Sequence, residues 1–239
     1  MAERALVAIH GNFASGRWWQ QLQAEPPAGW RVLAPTLSGF AGTPLTSAVS
    51  IPAYAEWLRD WLAGQHIRRP VLLGHSLGGA VALEYAARFG KDGVAGLVLA
   101  ASAPLGGLVT PEENYPVLEQ MRGNRALLSL SLGALFPAGQ PSNFAELVED
   151  AACMAPAQYS GNARALAEWQ VAAAALPRVP ALVLGGELDR LVTPEMVRQQ
   201  AAELGVPAQV LPQRGHGFPQ EDAPAFRQLL TGFLDRLSG

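Results

Sequence analysis

A serine between two glycines forms the clearest catalytic pattern in this 239-residue chain. Ser76 lies in the run Gly74-His75-Ser76-Leu77-Gly78, which follows an apolar stretch and precedes a segment of helical periodicity. A turn this tight between a strand and a helix strains the serine and points its hydroxyl into a cleft. The pattern therefore predicts Ser76 as a nucleophile. The alternative is a glycine turn whose serine only caps the helix.

A serine hydroxyl needs a base to remove its proton, and the chain offers four histidines. His216 lies between two glycines after the last predicted strand, and these glycines are expected to let a loop bend over the strand ends. His10 ends the first strand and is expected to orient the next loop. His75 is expected to point away from the serine, and His66 to lie in a solvated turn. His216 is therefore the predicted base.

The base in turn needs a carboxylate that accepts a hydrogen bond from its other ring nitrogen. Asp189 follows a predicted strand by four residues, so it should share one edge of the sheet with Ser76 and His216. Glu187 and Asp222 are competitors for this role. Asp189 is favoured because it lies in the loop before a predicted helix.

Backbone N–H donors that face the developing negative charge complete such a site, and each contributes about 10²- to 10³-fold in rate. Leu77 follows the nucleophile at a helix N-terminus and is one predicted donor. Asn12, in the loop after the first strand, is the second, with Phe13 in reserve. A phosphate-binding turn is a weak alternative for this loop, because it lacks both Gly-x-Gly-x-x-Gly and the Walker lysine.

Short apolar runs alternate along the chain with segments of helical periodicity. Continuous apolar runs are typical of strands that helices cover on both faces of a parallel sheet. The alternation predicts an α/β fold with a doubly wound, mostly parallel sheet of about six strands. The predicted strands are residues 6–10, 31–34, 70–74, 96–101, 181–185 and 208–212, and the clearest helices lie at 51–63 and 226–237.

Residues 104–176 interrupt this alternation with a helical insertion. Apolar periodicity predicts one helix around 144–151 and another over 162–175. An insertion after a strand's carboxyl end lies over the crevice where open α/β sheets bind ligands. We therefore predict a core of residues 1–103 and 177–239 under a helical lid; the alternative is a helical layer that only extends the core. Four side chains of the insertion are expected to line an apolar pocket: Leu127, Leu130, Leu135 and Phe136.

Composition and charge narrow the possible partners. The net charge is -3 and no stretch concentrates basic residues, so nucleic-acid binding is not expected. Cys153 is the only cysteine, which excludes an internal disulfide, and it is expected to be a small buried hydrophobe. No apolar run approaches the roughly 18 residues of a membrane span, and the first residues do not resemble a signal peptide. We expect a cytoplasmic protein without membrane association, cofactor or metal; protein partners stay open.

These residues resemble the α/β-hydrolase superfamily, specifically its small capped serine hydrolases such as carboxylesterases, lactonases and cofactor-free haloperoxidases. His10-Gly11, the Ser76 turn, the lid, Asp189 and Gly215-His216 follow one another as in that family. The lid itself is assigned by position only. The sequence departs from that family in starting at what would be its third strand, so the first antiparallel hairpin is expected to be absent.

The motifs and the resemblance together predict a serine hydrolase that cleaves small carboxylic esters or lactones through an acyl-enzyme intermediate. The apolar insertion favours a neutral acyl group of modest size. Two alternatives use the same triad, namely hydrolysis of carbon-carbon bonds and cofactor-free haloperoxidation or perhydrolysis. A third alternative is a ligand-binding protein that keeps the fold and hydrolyses slowly or not at all.

Overall fold

Six parallel strands form one sheet at the centre of the computed structural model, which describes residues 4–237. The strands are β1 (Arg4–Ile9), β2 (Trp30–Leu33), β3 (Val71–His75), β4 (Gly96–Ala100), β5 (Ala181–Gly186) and β6 (Ala208–Leu211). They lie side by side in the order β2-β1-β3-β4-β5-β6, and every neighbouring pair is parallel. The predicted α/β fold with a parallel sheet of six strands is confirmed.

The central strands are almost wholly apolar because both of their faces are covered. Leu73 in β3 pairs with Ala8 in β1 and with Val98 in β4, and all three side chains are buried. Apolar and polar residues alternate along a strand when one of its faces meets water, so a strand covered on both faces is apolar on both. Because the strands are parallel, their carboxyl ends meet at one edge of the sheet, where the loops that carry the candidate site begin.

Helices flank this sheet along the whole chain. Ser50 caps the second of them by accepting a hydrogen bond from the N–H of Ala53 at 3.3 Å, as its position before the apolar pattern predicts. Among the described residues, no helix is both long and apolar enough to cross a bilayer. The helices are α1 (Gln20–Ala24), α2 (Ile51–Gly64), α3 (Leu77–Gly93), α4 (Tyr115–Gln120), α5 (Arg125–Gly133), α6 (Phe144–Ala152), α7 (Gln158–Glu168), α8 (Pro194–Leu204), α9 (Phe218–Glu221) and α10 (Ala223–Arg236).

The segment between β4 and β5 contains four of these helices, α4 to α7. The helix predicted around 144–151 matches α6, but the bounds of the one predicted over 162–175 are wrong, because α7 begins and ends earlier. Trp169 leaves the helix with an extended backbone, and its indole N–H donates to the buried carboxylate of Glu84 at 2.9 Å. This tertiary contact overrides the helix propensity of the following alanines.

Cys153 does not take the buried position expected for it. The residue lies just after the last turn of α6, and its side chain is exposed. The buried face of that helix is formed instead by Leu147, Val148 and Ala151. The interpretation of Cys153 as a small core hydrophobe is therefore wrong, because a helix end can leave its side chain outside the packed stripe.

Close backbone contact explains the glycines around Ser76 and gives a stability prediction. A Cβ atom on Gly78 would lie 2.5 Å from the carbonyl oxygens of both Ile9 and His10. We expect Gly78→Ala to lower the free energy of unfolding by about 3 kcal/mol in urea denaturation, because backbone must move. The control is Gly232→Ala in α10, where nothing lies within 4 Å of the new atom; it should stabilise the protein by up to about 1 kcal/mol. Equal stability of Gly78→Ala and the wild type would contradict this view of the turn.

Candidate active site

Ser76 occupies a strained turn between β3 and α3. Its backbone angles are φ 54° and ψ -118°, a region that residues with side chains rarely adopt. Hydrogen bonds hold the strain, since its N–H donates to Ala100 and its carbonyl accepts from Gly79 and Ala103, at 2.9 to 3.2 Å. A strained serine that several hydrogen bonds hold at a helix N-terminus is the geometry that the glycine pattern predicts for a nucleophile.

His216 and Asp189 form a buried pair. Nδ1 of His216 lies 2.7 Å from Oδ2 of Asp189, and both side chains are almost fully buried. A carboxylate only accepts, so Nδ1 carries a proton, and in the neutral form of the ring Nε2 presents its lone pair. The other carboxylate oxygen of Asp189 accepts from the backbone N–H groups of Leu191 at 2.8 Å and Val192 at 3.0 Å. The loop thus orients the carboxylate, and the carboxylate orients the imidazole.

Neither of the competing carboxylates is bonded to this imidazole. Glu187 is exposed and accepts from the backbone N–H of Gln213 at 2.8 Å. Asp222 caps α10 and pairs with Arg214 at 2.8 Å. The hydrogen bond from Arg214 also lowers the pKa of Asp222. Both groups are engaged elsewhere, so the geometry favours Asp189.

Ser76 and His216 line the same cavity, together with Asp189 and Asn12. Within residues 4–237, the Ser76 hydroxyl makes no hydrogen bond to a protein group, and neither does Nε2 of His216. Contacts between nucleophile and base are often loose in free enzymes and tighten when substrate binds. Both groups are therefore open toward the cavity.

Of the two residues predicted to supply an oxyanion hole, Asn12 lines this cavity and Leu77 directly follows Ser76, which also lines it. Leu77 is the first residue of α3, where a backbone N–H has no partner inside the helix. In the described part of the chain, the N–H groups of Leu77 and Asn12 have no protein acceptor. Phe13, the reserve choice, instead donates its N–H to Oδ1 of Asn12 at 3.0 Å. This engagement favours Asn12 over Phe13 as the second donor.

The cavity between the strand ends and helices α4, α5 and α7 has a volume of about 790 Å³. Apart from the polar groups already described, its walls are mostly aliphatic. Within the described chain, no cluster of three or more His, Cys, Asp or Glu side chains could hold a metal ion. The aliphatic lining comes chiefly from Leu108, Val117, Leu118, Met121, Leu128, Leu132, Leu135 and Leu166.

Leu135 is the one member of the predicted apolar set that lines this cavity. Leu130 is exposed, Leu127 is partly buried and Phe136 is buried, and none of the three lines the cavity. The prediction was right about the segment but wrong about the face of α5, because the sequence does not reveal how the helix is rotated. The face of α5 toward the cavity is formed by Leu128, Ser131 and Leu132.

His75 supports the loop of the candidate base, a role that the sequence analysis missed. Its Nε2 donates to the backbone carbonyl of His216 at 2.9 Å, and its ring stacks on Trp18 at a centroid distance of 4.5 Å. Burial, with repulsion from His216 as the second cause, lowers the pKa of His75 well below its usual range. The sequence shows only that His75 precedes Ser76, and this position does not reveal the contact with the carbonyl of His216.

The glycines beside His216 lie in close contact with neighbouring segments, and neither needs a positive φ. Gly217 has a φ of -83°, and Gly215 is not among the described residues with positive φ. A Cβ on Gly217 would lie 2.3 Å from the ring of Phe136, and its N–H donates to the carbonyl of Leu135 at 2.8 Å. These contacts hold the loop of His216 against the segment between β4 and β5.

His10 contacts the loop after β1, as its position at the end of that strand predicts, and also the loop after β2, which was not predicted. Its Nε2 accepts the backbone N–H of Leu37 at 3.0 Å, so Nδ1 carries the proton and donates to the carbonyl of Gly11 at 2.8 Å. The side chain is fully buried. Burial lowers the pKa of His10 from 6.5 to about 4. A second proton on the ring, at Nε2, would place an N–H group of His10 against the backbone N–H of Leu37.

Stability should therefore fall in acid. Between pH 6.5 and about 4 the unfolded chain binds a proton at His10 and the folded chain does not. The free energy of unfolding is then full above this window and falls toward its lower end, by about 1 kcal/mol per pH unit. In urea denaturation, His10→Gln should reduce this slope by that amount, with buried His75 accounting for the slope that remains, whereas His66→Gln at an exposed turn should leave the slope unchanged. A slope unchanged in His10→Gln would contradict the assignment.

Comparison with known proteins identifies the family. A model of the alpha/beta hydrolase family matches residues 6–228, which is most of the chain. The chain belongs to the alpha/beta hydrolase family. The six-stranded parallel sheet and the serine turn after β3 fit this assignment.

Curated relatives of this alpha/beta hydrolase match only part of it. An uncharacterised protein from Mycobacterium tuberculosis is 32% identical over 139 residues, which cover 57% of this chain and 39% of that protein. A pimeloyl-[acyl-carrier protein] methyl ester esterase from Aromatoleum aromaticum is 38% identical over 109 residues, or 46% of this chain and 40% of that protein. The matched part thus spans about two fifths of the length of these relatives.

The fold of this alpha/beta hydrolase is also found in solved structures. A thermophilic esterase from Thermogutta terrifontis superposes with a TM-score of 0.81 and 24% identity. The alignment covers 99% of this chain and 91% of that one. At this identity the likeness concerns the fold.

Proposed function

We propose that this alpha/beta hydrolase cleaves small carboxylic esters or lactones through an acyl-enzyme intermediate on Ser76. One observation carries the proposal. The hydrogen-bonded pair of His216 and Asp189, at 2.7 Å, lines the same cavity as a strained serine at the N-terminus of a long helix. Nucleophile, base and orienting carboxylate are the parts that acyl transfer requires.

Acylation begins with the proton of Ser76. Nε2 of His216 takes this proton while Oγ attacks the carbonyl carbon of the ester. Asp189 keeps its hydrogen bond to Nδ1 and stabilises the imidazolium that forms. When the tetrahedral intermediate collapses, the imidazolium gives its proton to the leaving alcohol oxygen and the acyl group stays on Oγ.

Charge that develops on the carbonyl oxygen is assigned to the backbone N–H groups of Asn12 and Leu77. Asn12 lines the cavity and Leu77 directly follows Ser76, and neither N–H has a protein acceptor among residues 4–237. The N-terminus of α3 adds a favourable dipole. Such preorganised donors stabilise the transition state more than the neutral ester.

Deacylation repeats the sequence with water. His216 removes a proton from a water molecule that attacks the acyl carbon, and the same donors hold the oxyanion. Oγ of Ser76 then leaves and takes the proton back. The products are an alcohol and a carboxylic acid, or one hydroxy acid where the substrate is a lactone.

The substrate class follows from the walls of the cavity. Aliphatic side chains from α4, α5 and α7 surround about 790 Å³, which suits a neutral acyl group. We assign residues 104–176 as a lid on a core of residues 1–103 and 177–239, of which 1–3 and 238–239 lie outside the described residues. Ester cleavage also fits the name of the Aromatoleum aromaticum relative, a methyl ester esterase.

Intact-protein mass spectrometry after rapid mixing with p-nitrophenyl butyrate tests the proposal. We expect a burst of p-nitrophenol, the mass of one butyryl group on the acid-quenched protein, and assignment of that group to Ser76 by peptide mapping. Steady release of butyrate should follow. An acyl group on any other residue, or no hydrolysis of short-chain p-nitrophenyl esters and lactones, would contradict the proposal.

A further inference from the structure

A chain of buried hydrogen bonds runs from the core through α7 to Asn12. Nε2 of Gln158 donates to the carbonyl of Ser38 at 2.9 Å and to the hydroxyl oxygen of Tyr54 at 2.8 Å. That hydroxyl donates to Oδ1 of Asn162 at 2.7 Å, and Nδ2 of Asn162 donates to Oδ1 of Asn12 at 2.8 Å. The side chains of Tyr54, Gln158 and Asn162 are fully buried. Helix α7 is thereby bonded to the loop that holds the proposed oxyanion donor.

Backbone groups at both ends of this series of hydrogen bonds fix which group donates in each bond. The carbonyl of Ser38 can only accept, so Gln158 must present its NH₂ group there. The N–H of Phe13 can only donate, so Asn12 must present its oxygen. Asn162 must then face Asn12 with nitrogen and the tyrosine with oxygen. Both ends require the same assignment, so each amide has one orientation.

We propose that Asn162 is a positioning residue for the oxyanion hole, because it holds the side chain of Asn12 and with it the adjoining peptide. This inference rests on the proposed function. Oδ1 of Asn12 receives two donors, Nδ2 of Asn162 and the N–H of Phe13, so the side chain is tied from both sides. The backbone N–H of the same residue stays without a protein acceptor in the described chain. The segment between β4 and β5 therefore helps to set the reaction rate in addition to covering the cavity.

Loss of this bond should slow the chemistry more than it weakens substrate binding. Asn162→Asp keeps the size of the side chain but places a carboxylate oxygen against Oδ1 of Asn12. At about pH 8 we expect kcat for p-nitrophenyl butyrate to fall about 10- to 100-fold, while KM changes less than about threefold. Tyr54→Phe removes the preceding bond and should lower kcat by roughly threefold to tenfold.

The pH profile separates positioning from a merely structural role. A buried carboxyl is protonated more readily than an exposed one, and its protonated form can donate to Asn12 as the amide does. The ratio of kcat in Asn162→Asp to kcat in the wild type should therefore be highest near pH 6 and fall toward about pH 9. A residue that only stabilises the fold would leave this ratio flat.

Tyr159→Phe is the matched control for Tyr54→Phe. Tyr159 is a buried tyrosine on α7 whose hydroxyl donates to the carbonyl of Ala151 at 3.2 Å, outside the chain that reaches Asn12. Its removal should cost stability but change kcat by less than about twofold. Thermal unfolding of each variant shows whether it is folded under assay conditions.

The outcomes distinguish this inference from the function on which it rests. A wild-type protein that hydrolyses no ester contradicts the proposed function. A wild-type protein that is active, with Asn162→Asp equal to it in kcat across the pH range, overturns the positioning role alone. A lower melting temperature with unchanged kcat also overturns it. If Asn162→Asp does not fold, equal kcat in Tyr54→Phe and Tyr159→Phe overturns the inference.

Discussion

Replacement of Ser76 by alanine is expected to lower kcat/KM for p-nitrophenyl butyrate by about 10⁵-fold. The strained turn presents this hydroxyl to the cavity, and no other group in the proposed mechanism can carry the acyl chain. The residual rate should reflect only binding and the backbone donors, since these survive the substitution. Initial rates at saturating ester concentration measure kcat, and those at low ester concentration measure kcat/KM.

Ser102→Ala provides the matched control for this loss. Ser102 is buried just beyond β4, and its hydroxyl donates to the carbonyl of Ala103 at 2.9 Å. Its removal should cost about 1 kcal/mol of stability and leave ester turnover within about twofold of the wild type. If Ser76→Ala retained more than about one hundredth of wild-type activity, the serine could not be the nucleophile.

Asp189→Asn is expected to lower turnover by about 10⁴-fold with little change in the fold. An asparagine can turn its NH₂ group toward Nδ1 of His216, where the carboxylate accepts at 2.7 Å in the wild type. The imidazole would then carry its proton on Nε2 and could not remove the proton of Ser76. Steady-state kinetics with the folded variant measure the loss.

Asp222→Asn tests the alternative acid. This carboxylate caps α10 and pairs with Arg214, so its replacement should lower stability by about 1 kcal/mol and leave activity within about twofold. Full activity in Asp189→Asn together with a large loss in Asp222→Asn or in Glu187→Gln would reverse the assignment.

The fold could be predicted because its signals are local. Strands β1, β3 and β4 are continuous apolar runs, and burial on both faces is what such runs indicate. The signal for the serine turn is equally local. Positions 74 and 78 must be glycine because a Cβ atom there would meet backbone atoms of the same turn or of β1 and the residue after it. Asp189 and His216 could be placed at one sheet edge because strands in a parallel sheet end together.

What the sequence could not reveal depends on contacts between distant segments. Helix α7 ends before Trp169 because the indole N–H of this residue donates to Glu84. The sequence around neither residue predicts that contact. The inward face of α5 depends on the rotation of the whole helix. Asn162 lies in an ordinary polar stretch, and its partner Asn12 is 150 positions away. Amide orientations of this kind are set by the whole network, so local patterns carry no trace of them.

Labelling with a fluorophosphonate followed by peptide mapping shows whether Ser76, His216 and Asp189 act as one unit. We expect a single phosphonyl adduct on Ser76, formed much more slowly in His216→Ala and in Asp189→Asn. An adduct on another residue would contradict this expectation. Labelling of Ser76 at the wild-type rate without His216 would contradict it as well.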